Sequence, residues 1–134
     1  MQITELRKGM QASVRATATM EVNKAIAAIS GDYNPLHFSD EAAREAGFDG
    51  IIAHALFCEG LVSNIIAQKL PGPGSVIVKQ TILCRKPVYM GDTVTAAATV
   101  REIIPERHRV IIDVICTNQD GREVMSFVIE LLIR

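Results

Sequence analysis

The sequence predicts an α+β fold, an antiparallel sheet wrapped around one long buried helix, and three observations carry that prediction. From Ser75 onward the chain consists of four runs rich in Val, Ile and Thr, separated by turn signals. One long apolar stretch, residues 54–70, precedes them and stops at Pro71-Gly72-Pro73-Gly74. The chain has 134 residues, the size of one domain, 1–134, with one core. A domain of this size buries roughly two-thirds of the surface its unfolded chain exposes.

The elements follow in order. Residues 12–20 form a strand candidate, with Val14, Ala16, Ala18 and Met20 on one side and Thr17 and Thr19 on the other, a period of two. A helix follows over 21–30, with Val22, Ile26 and Ile29 at helical spacing and Gly31 placed for a left-handed cap. Ser39 caps a short helix over 40–46, with Asp40 and Glu41 in its first turn and Gly47 closing it. The long helix has its main stripe on Ala55, Cys58, Val62, Ile65 and Ile66, with Leu56, Phe57 and Leu61 outside the centre of that stripe. Apolar on more than one face, it is expected to be mostly buried. Gly60 costs up to ~1 kcal/mol there against alanine, which is read as the close approach of a neighbouring backbone. The four strand candidates are 75–85, 93–104, 109–117 and 123–133, and Asp120-Gly121 predicts a two-residue hairpin.

Composition excludes several classes of function. Fourteen basic and fifteen acidic residues leave a net charge of −1, without the clustered basic excess that nucleic acid requires. No apolar run approaches the ~20 residues of a membrane span, and the N-terminus lacks the pattern of a secretory signal. The three cysteines are odd in number, widely spaced and outside any zinc-ligand pattern, the reading of a reduced, cytoplasmic protein without metal or cofactor.

Two segments carry chemistry. Ser30-Gly31-Asp32-Tyr33-Asn34-Pro35-Leu36-His37 lies between two helices and is therefore a loop. Gly31 takes positive φ at low cost, Pro35 holds Asn34 extended, and the Asn34 side chain locks the turn. Such a loop presents the Asp32 carboxylate and the His37 imidazole rigidly, a pair able to orient a water and move its protons; the plainer alternative is a helix cap and turn with an exposed histidine. Ile52-Ala53-His54-Ala55-Leu56 begins the long helix, where unpartnered N–H groups and the positive dipole end polarise an acyl carbonyl. The alternative there is an ordinary helix start, with His54 as a capping or core residue. Cys58 and Cys84 sit in apolar patterns and read as core residues. Ser63 has no nucleophile elbow around it.

Together these segments resemble the signature of MaoC-like (R)-specific enoyl-CoA hydratases. The resemblance runs from Ser30-Gly31-Asp32-x-Asn34-Pro35-Leu36-His37 and Ala43 through His54-Ala55 and Leu70-Pro71-Gly72-x-Gly74-Ser75. It continues to Gln80 and Pro87-Val88-x-x-Gly91-Asp92. It implies the hot dog fold, a curved antiparallel sheet around a central helix, paired into a homodimer or higher homo-oligomer. It also implies reversible, metal-free hydration of trans-2-enoyl-CoA to (R)-3-hydroxyacyl-CoA. Under this resemblance Asp32 and His37 are the catalytic pair, and the backbone N–H of Ala55 binds the thioester oxygen. Gly31, Asn34 and Pro35 position the loop, and Ser63 lines the acyl pocket. The chain departs from the family in having Ala55 where the family has glycine, and Ile26 where it tends to carry an aromatic residue. The alternatives are a dehydratase acting on acyl-carrier-protein or branched acyl thioesters, and a non-catalytic acyl-CoA-binding module.

Overall fold

The strands lie where β-branched runs end at turn residues. In the computed structural model, which describes residues 1–134, they are β1 (Gln11–Thr17), β2 (Ser75–Cys84), β3 (Thr93–Ile104), β4 (Arg109–Thr117) and β5 (Glu123–Ile133). The helices are α1 (Met20–Ser30), α2 (Asp40–Glu45) and α3 (Ala55–Gln68). The sheet is antiparallel throughout and ordered β1-β3-β4-β5-β2, so β1 and β2 are its edges. Alternate residues of the central strands point inward: Val94, Ala96, Ala98 and Val100 on β3, Val110, Ile112, Val114 and Cys116 on β4. Into that face α3 lays Phe57, Cys58, Val62, Ile65 and Ile66, all buried. This is the α+β architecture the pattern predicts, and the strand candidates of the C-terminal half match to within a residue.

Several expectations are corrected. Ala18 and Met20 are not strand residues: β1 ends at Thr17, because the Thr19 hydroxyl accepts from the Val22 N–H and caps α1. In α1 the buried positions are Asn23 and Ala27, while Ile29 is 90% exposed, because the helix turns its Asn23 side toward the 31–37 loop. The Asp120-Gly121 turn is a five-residue loop. Asn118 Oδ1 accepts from the N–H groups of Asp120 and Arg122, and that bonding spans more chain than a two-residue turn allows. Gly60 meets no neighbouring backbone, since a Cβ there has no atom within 4 Å. It belongs to an outer face of α3 that includes Leu56, Ser63 and Asn64, all exposed, so the helix is buried on one side only. Cys84 is exposed, because it ends an edge strand, whereas Cys58 and Cys116 are buried.

Candidate active site

The loop after α1 is built by its own sequence. Gly31 adopts φ 78° and its N–H returns to the Ala27 carbonyl, ending the helix. The Asp32 N–H donates to Ser30 Oγ (3.1 Å), the Asn34 N–H to Asp32 Oδ1 (3.1 Å) and the Leu36 N–H to Asn34 Oδ1 (3.2 Å). Asn34 is extended, at φ −53° and ψ 126°, as a residue before proline must be, and Pro35 starts a 3-10 turn over Pro35–His37. The two oxygens of Asp32 are thereby divided. Oδ1 holds the loop, and Oδ2 lies 3.7 Å from His37 Nε2.

His37 is buried, and its Nδ1 lies 2.8 Å from the carbonyl oxygen of Ile52. A carbonyl only accepts, so Nδ1 carries the proton of the neutral ring and Nε2 keeps a lone pair toward Asp32. Asn23, wholly buried on α1, donates through Nδ2 to the carbonyls of His37 (3.0 Å) and Ile52 (3.2 Å). The 52–54 segment is itself anchored. Ile52 bridges to Tyr89, and the Ala53 N–H donates to the Val88 carbonyl at 2.7 Å.

His54 occupies the cap position of α3, but its side chain caps nothing there. Its ring turns instead to the 31–37 loop, where Nε2 donates to the backbone carbonyl of Asp32 (2.9 Å), and it stacks on His37 with centroids 3.8 Å apart. The first residue of α3 is Ala55. Its backbone φ is not positive, and its N–H has no acceptor within the protein. Asp32, His37, His54 and Ala55 all line one cleft of about 520 Å³, with Val88 and Met125 on its apolar wall and Arg85 and Lys86 among its lining. Arg85 is already paired with Glu123 at 2.7 Å.

The cleft therefore gathers Asp32, His37 and Ala55, and Gly31, Asn34 and Pro35 lie in the loop that carries Asp32. Ser63 is not gathered: it is exposed and does not line the cleft, lying ~12 Å along α3 from Ala55 at 1.5 Å per residue. Of two buried polar groups, Asn23 escaped the sequence reading, and His54 was read only as a capping or core residue. Asn23 looks like any polar residue on an amphipathic helix, and only its place one turn before Ala27 and beside Ile26 hints at an inward amide. His54 was legible as a helix start but not as a second ring against His37.

As a metal set the cluster falls short. Ligand atoms of Asp32, His37 and His54 lie within 4.8 Å of one another. The His54 nitrogen nearest Asp32, however, carries the hydrogen of its bond to the carbonyl, and His37 Nδ1 is committed in the same way. With His54 Nδ1 fully buried, two donors remain toward the cleft, fewer than the three protein ligands of an open catalytic zinc site. The arrangement suits proton transfer: an exposed carboxylate against a buried imidazole base, beside an unpartnered N–H at a helix start.

A family model described as MaoC like domain matches residues 4–120. Among curated proteins, the 3-hydroxybutyryl-CoA dehydratase of Methylorubrum extorquens is 43% identical over 99 residues, covering 74% of this chain and 62% of the relative. The (R)-specific enoyl-CoA hydratase of Rhodospirillum rubrum is 34% identical over 113 residues, covering 84% of this chain and 78% of the relative. The chain thus spans less than two-thirds of the first of these and more of the second. Among solved structures, an unliganded R-hydratase from Pseudomonas aeruginosa superposes with a TM-score of 0.91 at 32% identity, covering 98% of this chain and 84% of that one. The (R)-hydratase of A. caviae gives 0.92 at 27% identity, over 97% and 98%.

Proposed function

We infer the function from one premise: the chain belongs to the MaoC-like domain family, whose model matches residues 4–120. The reading is a hydro-lyase, an (R)-specific enoyl-CoA hydratase that interconverts trans-2-enoyl-CoA and (R)-3-hydroxyacyl-CoA. The observation that carries it is the Asp32–His37 pair, at 3.7 Å, in one cleft with the free Ala55 N–H. Relatives named for this reaction in both directions support it.

In this reading Asp32 and His37 hold a water between them. His37 Nε2, whose lone pair is kept free by the Nδ1 bond to Ile52, takes a proton as the water oxygen bonds to C3. The C2–C3 π pair moves to C2 and the thioester carbonyl, and the Ala55 N–H receives the oxygen as negative charge grows on it. A proton returns from the Asp32–His37 pair to C2, so one water is added and the pair is restored. Reversal of the same steps is dehydration.

The carrier has a second reading. Relatives named as 3-hydroxyacyl-[acyl-carrier-protein] dehydratases, the Arabidopsis thaliana protein at 42% identity over 71 residues among them, favour acyl-carrier protein as an alternative carrier of the same acyl thioester. The partner in this proposal is a second copy of the chain. β2 is an unpaired edge carrying Val76, Ile77 and Val78 exposed, and a long apolar edge invites pairing. The outer face of α3 that bears Ser63 would then lie toward the subunit boundary, which is where this reading puts the acyl chain. The three free cysteines are the ground for assigning the protein to the reducing cytoplasm, and no helix is long and apolar enough to cross a membrane.

The test is loss of the conjugated thioester absorbance when crotonyl-CoA is added, with chiral analysis of the product. An (R)-3-hydroxybutyryl product is expected. Binding without loss of absorbance moves the acyl-CoA-binding alternative ahead.

A further inference from the structure

The catalytic loop is held from two sides, and the reaction described above uses only part of what holds it. Asn23 grips the carbonyls at His37 and Ile52, at the far end of the loop. At the near end the one side chain on the Asp32 carbonyl is His54, through Nε2 at 2.9 Å. His54 is 3% exposed, and its second nitrogen, Nδ1, is buried with no partner in the protein. A ring so placed has one satisfactory neutral form. With the proton on Nε2, it donates to the carbonyl and leaves only a lone pair unpaired at Nδ1. With the proton on Nδ1, a donor is stranded in the interior and the Nε2 lone pair faces a carbonyl oxygen at 2.9 Å, which is repulsive. The stacked His37, 3.8 Å away between centroids, has the opposite arrangement, because its Nδ1 donates to Ile52.

We propose that His54 is a positioning residue for hydration: its imidazole, in the Nε2–H tautomer, holds the Asp32 backbone carbonyl and sets the depth at which the Asp32 carboxylate faces His37. The proposal rests on the hydratase reading for its effect on rate, but the tautomer stands independently of it. His54 Nε2 is 3.9 Å from Asp32 Oδ2 as well as 2.9 Å from the Asp32 carbonyl oxygen. One N–H therefore fixes the backbone of the same residue whose side chain meets water. Two rings stacked in opposite tautomers leave a single lone pair, His37 Nε2, turned toward the carboxylate.

The experiment has two arms on the full chain. Long-range proton–nitrogen correlation of the histidine rings at about pH 8, above the ordinary imidazole range, reads the tautomers, with His37, His54 and His108 assigned by single substitutions. His54 is expected with its proton on Nε2 and His37 with its proton on Nδ1. The kinetic arm compares H54F, which keeps a stacking ring and loses the donor, with H54Q, whose amide can still donate to the carbonyl. H54F should lower kcat for crotonyl-CoA about 10- to 100-fold with KM within about threefold, the scale of a small misplacement, and H54Q should recover kcat to within about fivefold of the parent. Parent-like kcat in H54F, a loss carried by KM alone, no recovery in H54Q, or a proton on His54 Nδ1 overturns the proposal. If the parent itself fails to hydrate crotonyl-CoA, the hydratase reading has failed. In that case, or if H54F does not fold, the tautomer in the parent decides: Nε2–H upholds the grip on the Asp32 carbonyl, and Nδ1–H removes it.

Discussion

Asp32 divides its work between two oxygens, and that division explains why a partly exposed carboxylate is held still. Oδ1 accepts from the Asn34 N–H, and Oδ2 is left facing His37. Asp32→Asn keeps the loop bond but loses the charge, and His37→Gln loses the ring base. Each is expected to lower kcat for crotonyl-CoA by at least ~10²-fold with the fold retained. The double variant should lose far less than the product of the two, since the proposed mechanism has both residues act on one water. Parent rates in both single variants would remove the pair from the mechanism. Ala55 is the other residue on which the proposed function turns. As the first residue of α3 it has no positive φ, so its methyl does not turn the N–H away. Loss of an oxyanion donor costs ~3–4 kcal/mol, and under the proposed role of Ala55 the N–H remains available. Ala55→Gly should therefore change kcat less than ~10-fold, well short of that loss, with any gain larger for a 2-methyl enoyl-CoA than for crotonyl-CoA. Steady-state kinetics on both substrates in both proteins checks this.

At the scale of elements, Asn23 on α1 and His54 at the start of α3 hold the Asp32–His37 loop by side-chain hydrogen bonds. Asn23 satisfies two carbonyls with one amide while its own Oδ1 remains unpartnered. Asn23→Ala leaves those carbonyls without that donor, at an expected cost of ~1–3 kcal/mol in urea unfolding. A stability equal to the parent's would show that water replaces the amide. α3 also carries Cys58 against the sheet. Its thiol is pushed well up from the ordinary range, first by the hydrogen bond with Cys116 and then by burial. A buried thiol of that kind stays protonated and unreactive. Cys84, exposed at the end of β2, has no such protection. In the native protein iodoacetamide should modify Cys84 alone, and all three cysteines should react only after unfolding. Mass spectrometry of the labelled chain would reveal early modification of Cys58 if the reading is wrong.

For the whole molecule the question is what covers the edge. β2 ends the sheet with Val76, Ile77 and Val78 in solvent, and Leu83 is 52% exposed further along it. Beside it, α3 presents an outer face of Leu56, Gly60, Ser63 and Asn64, and the open space at Gly60 leaves room for another backbone. A two-fold homodimer that adds β2 of one protomer to β2 of its partner would bury both surfaces. Analytical ultracentrifugation at micromolar concentration is expected to give a dimer. Val78→Lys, a charge on that edge, should shift it toward monomer. A parent that sediments as a monomer contradicts the assembly and, with it, the place given to Ser63.

The sequence by itself determined the local structure. The β5 alternation, the Ser39 position before its helix, and the Gly31-to-Pro35 run each act within a few residues, through side-chain alternation, capping and restricted φ. The Asp32–His37 loop was legible for the same reason, since its hydrogen bonds span two residues each. Tertiary structure alone decided which polar side chains turn inward. Asn23 reaches carbonyls 14 and 29 residues away, and His54 one 22 residues back. No periodicity encodes such bonds, because a buried amide or imidazole occupies the same helix position as a solvated one. The outward side of α3 was likewise beyond the pattern: apolar residues on several faces promise burial, but they do not say whether the chain or a second copy supplies it.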